Sequence, residues 1–94
     1  MPYYVYITTN PARTVLYIGI TNNLVDRIAQ HYENRGTPQT FAGCYFCYNL
    51  IHFEEYTDSL AAIAREKELK GWTRAKKENL IAIQNPGWEF LIIG

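Results

Sequence analysis

In the stretch "TNNLVDRIAQH" of a 94-residue chain, Arg27 and His31 stand four residues apart, which puts both on one face of a helix. They lie at the edge of an apolar stripe formed by Leu24, Ile28 and Tyr32, so they point partly toward the body of the protein. A guanidinium placed there clamps a phosphate with its planar fork, and an imidazole carries protons near neutral pH. The plainer alternative is a solvated Arg27 paired with Asp26 or Glu33, and a His31 that closes the edge of the core.

Glu66 is the carboxylate that helical spacing singles out. Its neighbours three and four positions away are Ala62, Ile63, Leu69 and Lys70, three of them apolar, so it faces protein more than water. A divalent cation with oxygen ligands and water is one reason for a carboxylate to sit there. The other is an i,i+4 pair with Lys70, worth about 0.2–0.5 kcal/mol. Tyr4, Tyr6 and Tyr17 fall in strand-like segments. They read either as cross-strand packing partners or as phenols that a neighbouring cation helps toward proton transfer. Cys44 and Cys47 form one C-x-x-C, for which no second pair of ligands has zinc-site spacing.

Positioning these groups requires strands and helices in a definite order. "YYVYITT" and "TVLYIGIT" are rich in aromatic and β-branched residues, and Asn10-Pro11 breaks between them, so they form an antiparallel hairpin. Thr21, Asn22 and Asn23 offer caps for a helix from about 22 to 34, stopped by "NRGTP", with Gly36 suited to a left-handed turn and Pro38 to the exit. Residues 37–47 carry no readable period. "YNLIHFEEY" supplies a third strand, roughly 48 to 55. Asp58 caps a helix ended by Gly71, and Thr73 caps another ended at Asn85-Pro86. The tail "GWEFLIIG" is apolar enough to pack on the body. The order is β-β-α-β-α-α, an α+β arrangement with a small antiparallel sheet and helices packed over it.

The length suits one domain spanning 1–94, since domains run from about 50 to 250 residues. No apolar run approaches the roughly 20 residues of a membrane helix, and the N-terminal stretch lacks the pattern of a secretory signal. The expectation is a soluble cytoplasmic protein without a membrane partner. Nine basic residues balance nine acidic ones, so no global field draws the chain to nucleic acid. Locally, however, Lys67, Lys70, Arg74, Lys76 and Lys77 crowd together.

Taken together, Tyr4-Val5-Tyr6, the literal Tyr17-Ile18-Gly19, "TNNLVDRIAQH", "AIAREKELKGW" and "NPGW" resemble the motifs of the GIY-YIG nuclease family. The likeness is to small stand-alone bacterial members similar to the nuclease domain of the nucleotide-excision repair endonuclease, and it covers nearly the whole chain. It implies a three-stranded antiparallel sheet flanked by helices. By the same resemblance, Tyr6 and Tyr17 are the motif tyrosines, Arg27 the phosphate-binding arginine, His31 the second helix residue, Glu66 the metal ligand and Asn85 a supporting asparagine. Gly19 keeps bulk away from the scissile phosphate and Lys70 assists near Glu66. Tyr4 stands where the family's name has glycine. The implied reaction is phosphodiester hydrolysis in DNA with Mg²⁺ or Mn²⁺, directed by DNA structure and related to repair.

The connector "FAGCYFCYN" lacks lysines, and a neutral chain forfeits much of the counterion release that drives nucleic-acid affinity. Weak DNA binding without a targeting partner is therefore expected, with the oligomeric state open, a homodimer included. Two further readings stand beside the nuclease: a non-cleaving nucleic-acid-binding module using the lysine-rich face, and a protein-interaction domain using the aromatic connector and the apolar tail.

Overall fold

The computed structural model describes residues 2–93. Strand β1 (Tyr3–Thr9) and strand β2 (Leu16–Thr21) form the expected antiparallel hairpin. The turn between them is organised by Asn10, whose Oδ1 accepts from the backbone N–H groups of Thr14 at 2.8 Å and Val15 at 3.0 Å. This is the local bonding that makes asparagine a turn former. Strand β3 (Asn49–Tyr56) pairs antiparallel with the other side of β1, so the spatial order is β2-β1-β3.

Three helices match the expected ones, each capped by a residue that the sequence offers, Asn23 being the one of three candidates used by the first. Helix α1 (Leu24–Glu33) starts after Asn23, whose side chain accepts from Asp26 N. It is shorter than the expected 22–34 because Asn23 is extended and Asn34 already leaves the helix. Gly36 takes the left-handed conformation, φ +83°, beyond the helix end. Helix α3 (Ser59–Lys70) is capped by Asp58 and α4 (Arg74–Gln84) by Thr73. Gly71 ends α3 in right-handed geometry, φ −84°.

The structure adds one element, a single turn α2 (Phe41–Cys44) capped by Thr40. It falls in the connector where no period was readable, because four residues are too few to display one. Gly43 makes this turn fit. A Cβ on it would lie 2.7 Å from the carbonyl oxygens of Asn34 and Thr37 and from Thr40 Oγ1, a contact backbone atoms cannot relieve.

Alternation along the strands divides the molecule into two cores. Val5, Ile7, Ile18 and Ile51 face one way and pack with Ala62 and Leu69 of α3 and Ile81 of α4. Tyr6 and Leu50 face the other way and pack with Leu24 and Ile28 of α1. A bulge lies between the pairs Ile7–His52 and Thr8–Leu50, leaving Ile51 without an opposite residue. Consecutive Ile51 and His52 are therefore both buried.

The tail packs as expected. Asn85 Nδ2 donates to Ile51 O and Glu89 O, each at 2.9 Å, and its Oδ1 accepts from Glu89 N at 3.0 Å. Leu91 N–H then donates to Leu50 O at 2.7 Å, and Leu91 and Ile93 join the Tyr6 core. The tail thus covers the β3 edge, which would otherwise present unpaired backbone groups. Among the described residues no helix is long and apolar enough to cross a membrane.

Candidate active site

The strands and α1 bring Tyr6, Tyr17, Arg27 and His31 to one place on the α1 face of the sheet. Tyr6 is fully buried in the central strand. Its hydroxyl lies 2.8 Å from His31 Nε2 and accepts from Arg27 Nε at 3.2 Å. Arg27 also donates to Gln30 Oε1 at 3.1 Å. Of the alternatives open from sequence, Arg27 thus takes neither Asp26 nor Glu33. Its guanidinium reaches inward to the phenol, while Asp26 is held by Asn23 Nδ2.

The charges of this cluster follow from burial. Burial, and then the charge of Arg27, pull the His31 pKa down to about 4, so the imidazole is neutral at pH 7. Burial pushes the Tyr6 phenol up to about 12, although Arg27 opposes the rise. The Tyr6 oxygen already accepts from Arg27, so its O–H is left to donate to His31 Nε2, which places the imidazole proton on Nδ1.

Tyr17 extends the cluster toward solvent. Its ring meets Tyr6 at 6.3 Å, stands edge-on to His31 at 5.3 Å and stacks on Phe41 at 6.3 Å between centroids. Tyr17, Arg27, His31, Asn34, Thr40, Phe41 and Ala42 line a hollow of about 140 Å³. Gly19 is the cross-strand partner of Tyr6 and leaves the space that the Tyr6 phenol fills. In this structure its lack of a side chain serves the tyrosine directly.

Glu66 comes from α3, which packs on the opposite face, yet its carboxylate is near enough to the Tyr6 phenol to oppose ionisation there. The side chain is only 16% exposed and accepts from Lys70 Nζ at 3.2 Å, the i,i+4 pair anticipated from spacing. Among the described residues no three His, Cys, Asp or Glu side chains converge, so no all-protein metal cage is built. One largely buried carboxylate does fit Mg²⁺, which keeps several waters and is held through one or two carboxylates and substrate oxygens. The two cysteines are free thiols, Cys44 exposed and Cys47 buried.

Two predicted residues lie outside the cluster. Tyr4 packs edge-on against Phe53 at 6.3 Å, beside a separate depression lined by Asn22, Leu24 and Glu55. The side-chain bonds of Asn85 all go to backbone of β3 and the tail. It supports the fold and makes no contact with the phenols. The lysine-rich face is partly consumed: Lys70 pairs with Glu66, Arg74 with Glu78 at 2.9 Å, and Lys76 lies over the Trp72 ring at 5.2 Å. Sequence reasoning missed Phe41, Thr40 and Asn34, which line the hollow from the connector. The available signal was Thr40, a cap residue standing directly before Phe-Ala-Gly-Cys.

A second polar cluster lies under α3. Glu54 accepts from His52 Nε2 at 2.8 Å, Tyr56 at 2.7 Å and Arg65 Nε at 2.9 Å. Burial alone would raise its pKa, but these bonds bring it down to about 2. Arg65 also bonds Glu68, and His52 Nδ1 is buried there without a hydrogen-bond partner.

Comparison with known proteins agrees with this fold. Residues 2–79 match the family model described as "GIY-YIG catalytic domain". A UPF0213 protein of Natronomonas pharaonis is 38% identical over 80 residues, covering 85% of this chain and 91% of the relative. Another from Haloquadratum walsbyi is 35% identical over 78 residues, covering 83% and 84% respectively. The solution NMR structure of a UPF0213 protein from Bacillus halodurans superposes with a TM-score of 0.58 at 26% identity, covering 95% of this chain and 92% of that one.

Proposed function

The chain belongs to the GIY-YIG family, and on that premise we propose that it is a metal-dependent DNA endonuclease, directed by DNA structure and acting in repair. The observation that carries this reading is the junction at the Tyr6 hydroxyl, which ties a phosphate-binding group, Arg27, to a neutral proton acceptor, His31, beside an open hollow. The repair assignment rests on the likeness of the motifs to those of the excision-repair nuclease domain.

A phosphodiester in the hollow meets the Arg27 guanidinium, whose fixed fork neutralises charge on the phosphoryl oxygens as it builds in the transition state. Tyr6 holds Arg27 through Nε and Gln30 engages Nη1, which leaves Nη2 to the substrate. Tyr17 is partly exposed and lines the hollow, whereas Tyr6 is sealed. Tyr17 is therefore the phenol that reaches the attacking water and orients it. Behind the hollow the sealed Tyr6 hydroxyl bonds His31 Nε2 and Arg27 Nε and so fixes both groups at its wall. Glu66 is the residue that would hold Mg²⁺ or Mn²⁺; bound there, the ion supplies positive charge to the phosphoryl group and the leaving 3′-oxygen.

Labelled single-stranded, duplex, flap and branched DNAs incubated with Mn²⁺ test this. Cleavage by the wild type that is lost in Glu66→Ala and Arg27→Ala supports the reading. A panel left uncut by purified wild-type protein rejects it, and salt-sensitive binding without cleavage would then select the non-cleaving module.

A further inference from the structure

The hollow does not end at Tyr17. Phe41, which lines it beside Arg27 and His31, stacks on Tyr17 and in turn meets Tyr45 with ring centroids 4.7 Å apart. Phe41 and Tyr45 are 52% and 49% exposed, so rings run from the phosphate hollow out to the solvent-exposed surface. We infer that Phe41 and Tyr45 form a stacking platform for an unpaired nucleobase next to the scissile phosphate, which makes the preferred substrate single-stranded or locally unpaired DNA. This inference rests on the phosphodiester reading above and specifies its substrate.

Three further observations favour a base over a protein partner. First, the platform is continuous with the phosphate hollow, because Phe41 belongs to both. A base and its own phosphate can therefore occupy them together. Second, residues 34–53 contain no Asp or Glu, and their one Lys or Arg is Arg35, so nothing there repels a polyanion. Third, the rings are held in place rather than left loose. Thr40 caps their turn, Gly36 N donates to Gly43 O at 2.8 Å, and at Gly43 there is no room for a side chain. A base stacks on such a ring through its face, which the neighbouring bases of a duplex keep covered, and stacking tolerates any base. A lysine-free connector suits this mode, since ring contact supplies affinity that charge does not.

The test uses the full chain in EDTA, so that binding is read without cleavage. The probes are a labelled single-stranded oligonucleotide carrying 2-aminopurine, the same strand in a duplex, and a strand of equal length made of abasic residues. Phe41→Leu and Tyr45→Leu keep apolar bulk and remove the ring, and circular dichroism verifies their folding. Each is expected to weaken binding of the base-bearing single strand about tenfold, within the range of one lost base stack. Each is also expected to relieve the quenching of 2-aminopurine, while binding of the abasic strand is unchanged in Tyr45→Leu, whose ring lies outside the hollow. Phe41→Trp should restore both signals. Equal binding and equal quenching by wild type and leucine variants overturns the platform, and leaves the nuclease reading intact if the wild type still cleaves with Mn²⁺. No binding to any strand together with no cleavage overturns both.

Discussion

The Tyr6 hydroxyl occupies the space into which a side chain at Gly19, its cross-strand partner, would grow. The backbone of β2 is thereby part of the site. Gly19→Ala pushes the phenol away from His31 and Arg27 and overpacks a buried contact, at a cost of about 1–3 kcal/mol. Thermal unfolding should show a Tm lowered by several degrees, and cleavage should fall with it. An unchanged Tm would mean that the Tyr6 ring swings aside freely.

Acid should weaken the fold in two steps. His31 is pulled from its ordinary 6.5 to about 4, so between those values the unfolded chain binds the extra proton and stability declines as pH falls. Glu54 is held at about 2 against its ordinary 4.5. Its contribution is present above pH 4.5 and lost as pH drops toward 2. Tm measured against pH should flatten in the upper window for His31→Gln and keep the lower decline. An upper window that persists unchanged in that variant would assign it to another group.

Glu66 separates chemistry from stability. Glu66→Gln removes the carboxylate charge, and the Lys70 pair it disrupts is worth only about 0.2–0.5 kcal/mol. Calorimetry should find a Tm within a few degrees of wild type, with metal-dependent cleavage abolished. Retained cleavage at wild-type rate would remove Glu66 from the metal site.

Asn85 should behave in the opposite way. Asn85→Ala deletes three hydrogen bonds between α4, β3 and the tail, and leaves buried backbone groups without partners at about 1–3 kcal/mol. Limited proteolysis should cut first within the tail. At temperatures where the variant is folded, cleavage of DNA should stay near wild type, since Asn85 does not touch the Tyr6 cluster.

How much of this was legible depended on the distance over which each signal acts. The caps Asn23, Asp58 and Thr73 were readable because a cap is a local bond between a side chain and the backbone two or three residues on. Arg27 and His31 were readable as a pair because helical spacing alone places them on one face. Their meeting point at Tyr6, 21 and 25 residues away in the chain, is a tertiary fact that helical spacing does not carry. The α2 turn escaped because one turn has no period. Asn85 looked like part of the site by motif, yet its bonds go to the backbone that anchors the tail.

The bulge at Ile51 bears on which changes of chain length β3 accepts. Because Ile51 has no opposite residue on β1, deleting it leaves His52 facing Ile7 and Leu50 facing Thr8, each on its present side of the sheet. Deleting Phe53 instead turns His52 toward the phenols and puts Ile51 in its place opposite Ile7. A one-residue deletion scan, with near-ultraviolet dichroism as the readout, should find native tertiary signal for the first and not for the second. If both collapse alike, Ile51 matters for the core it fills and not for the count of residues it relaxes. The irregular pair Ile51-His52 is slack in β3, a place where the strand can lose a residue without turning the Tyr6 side of the sheet to the wrong face.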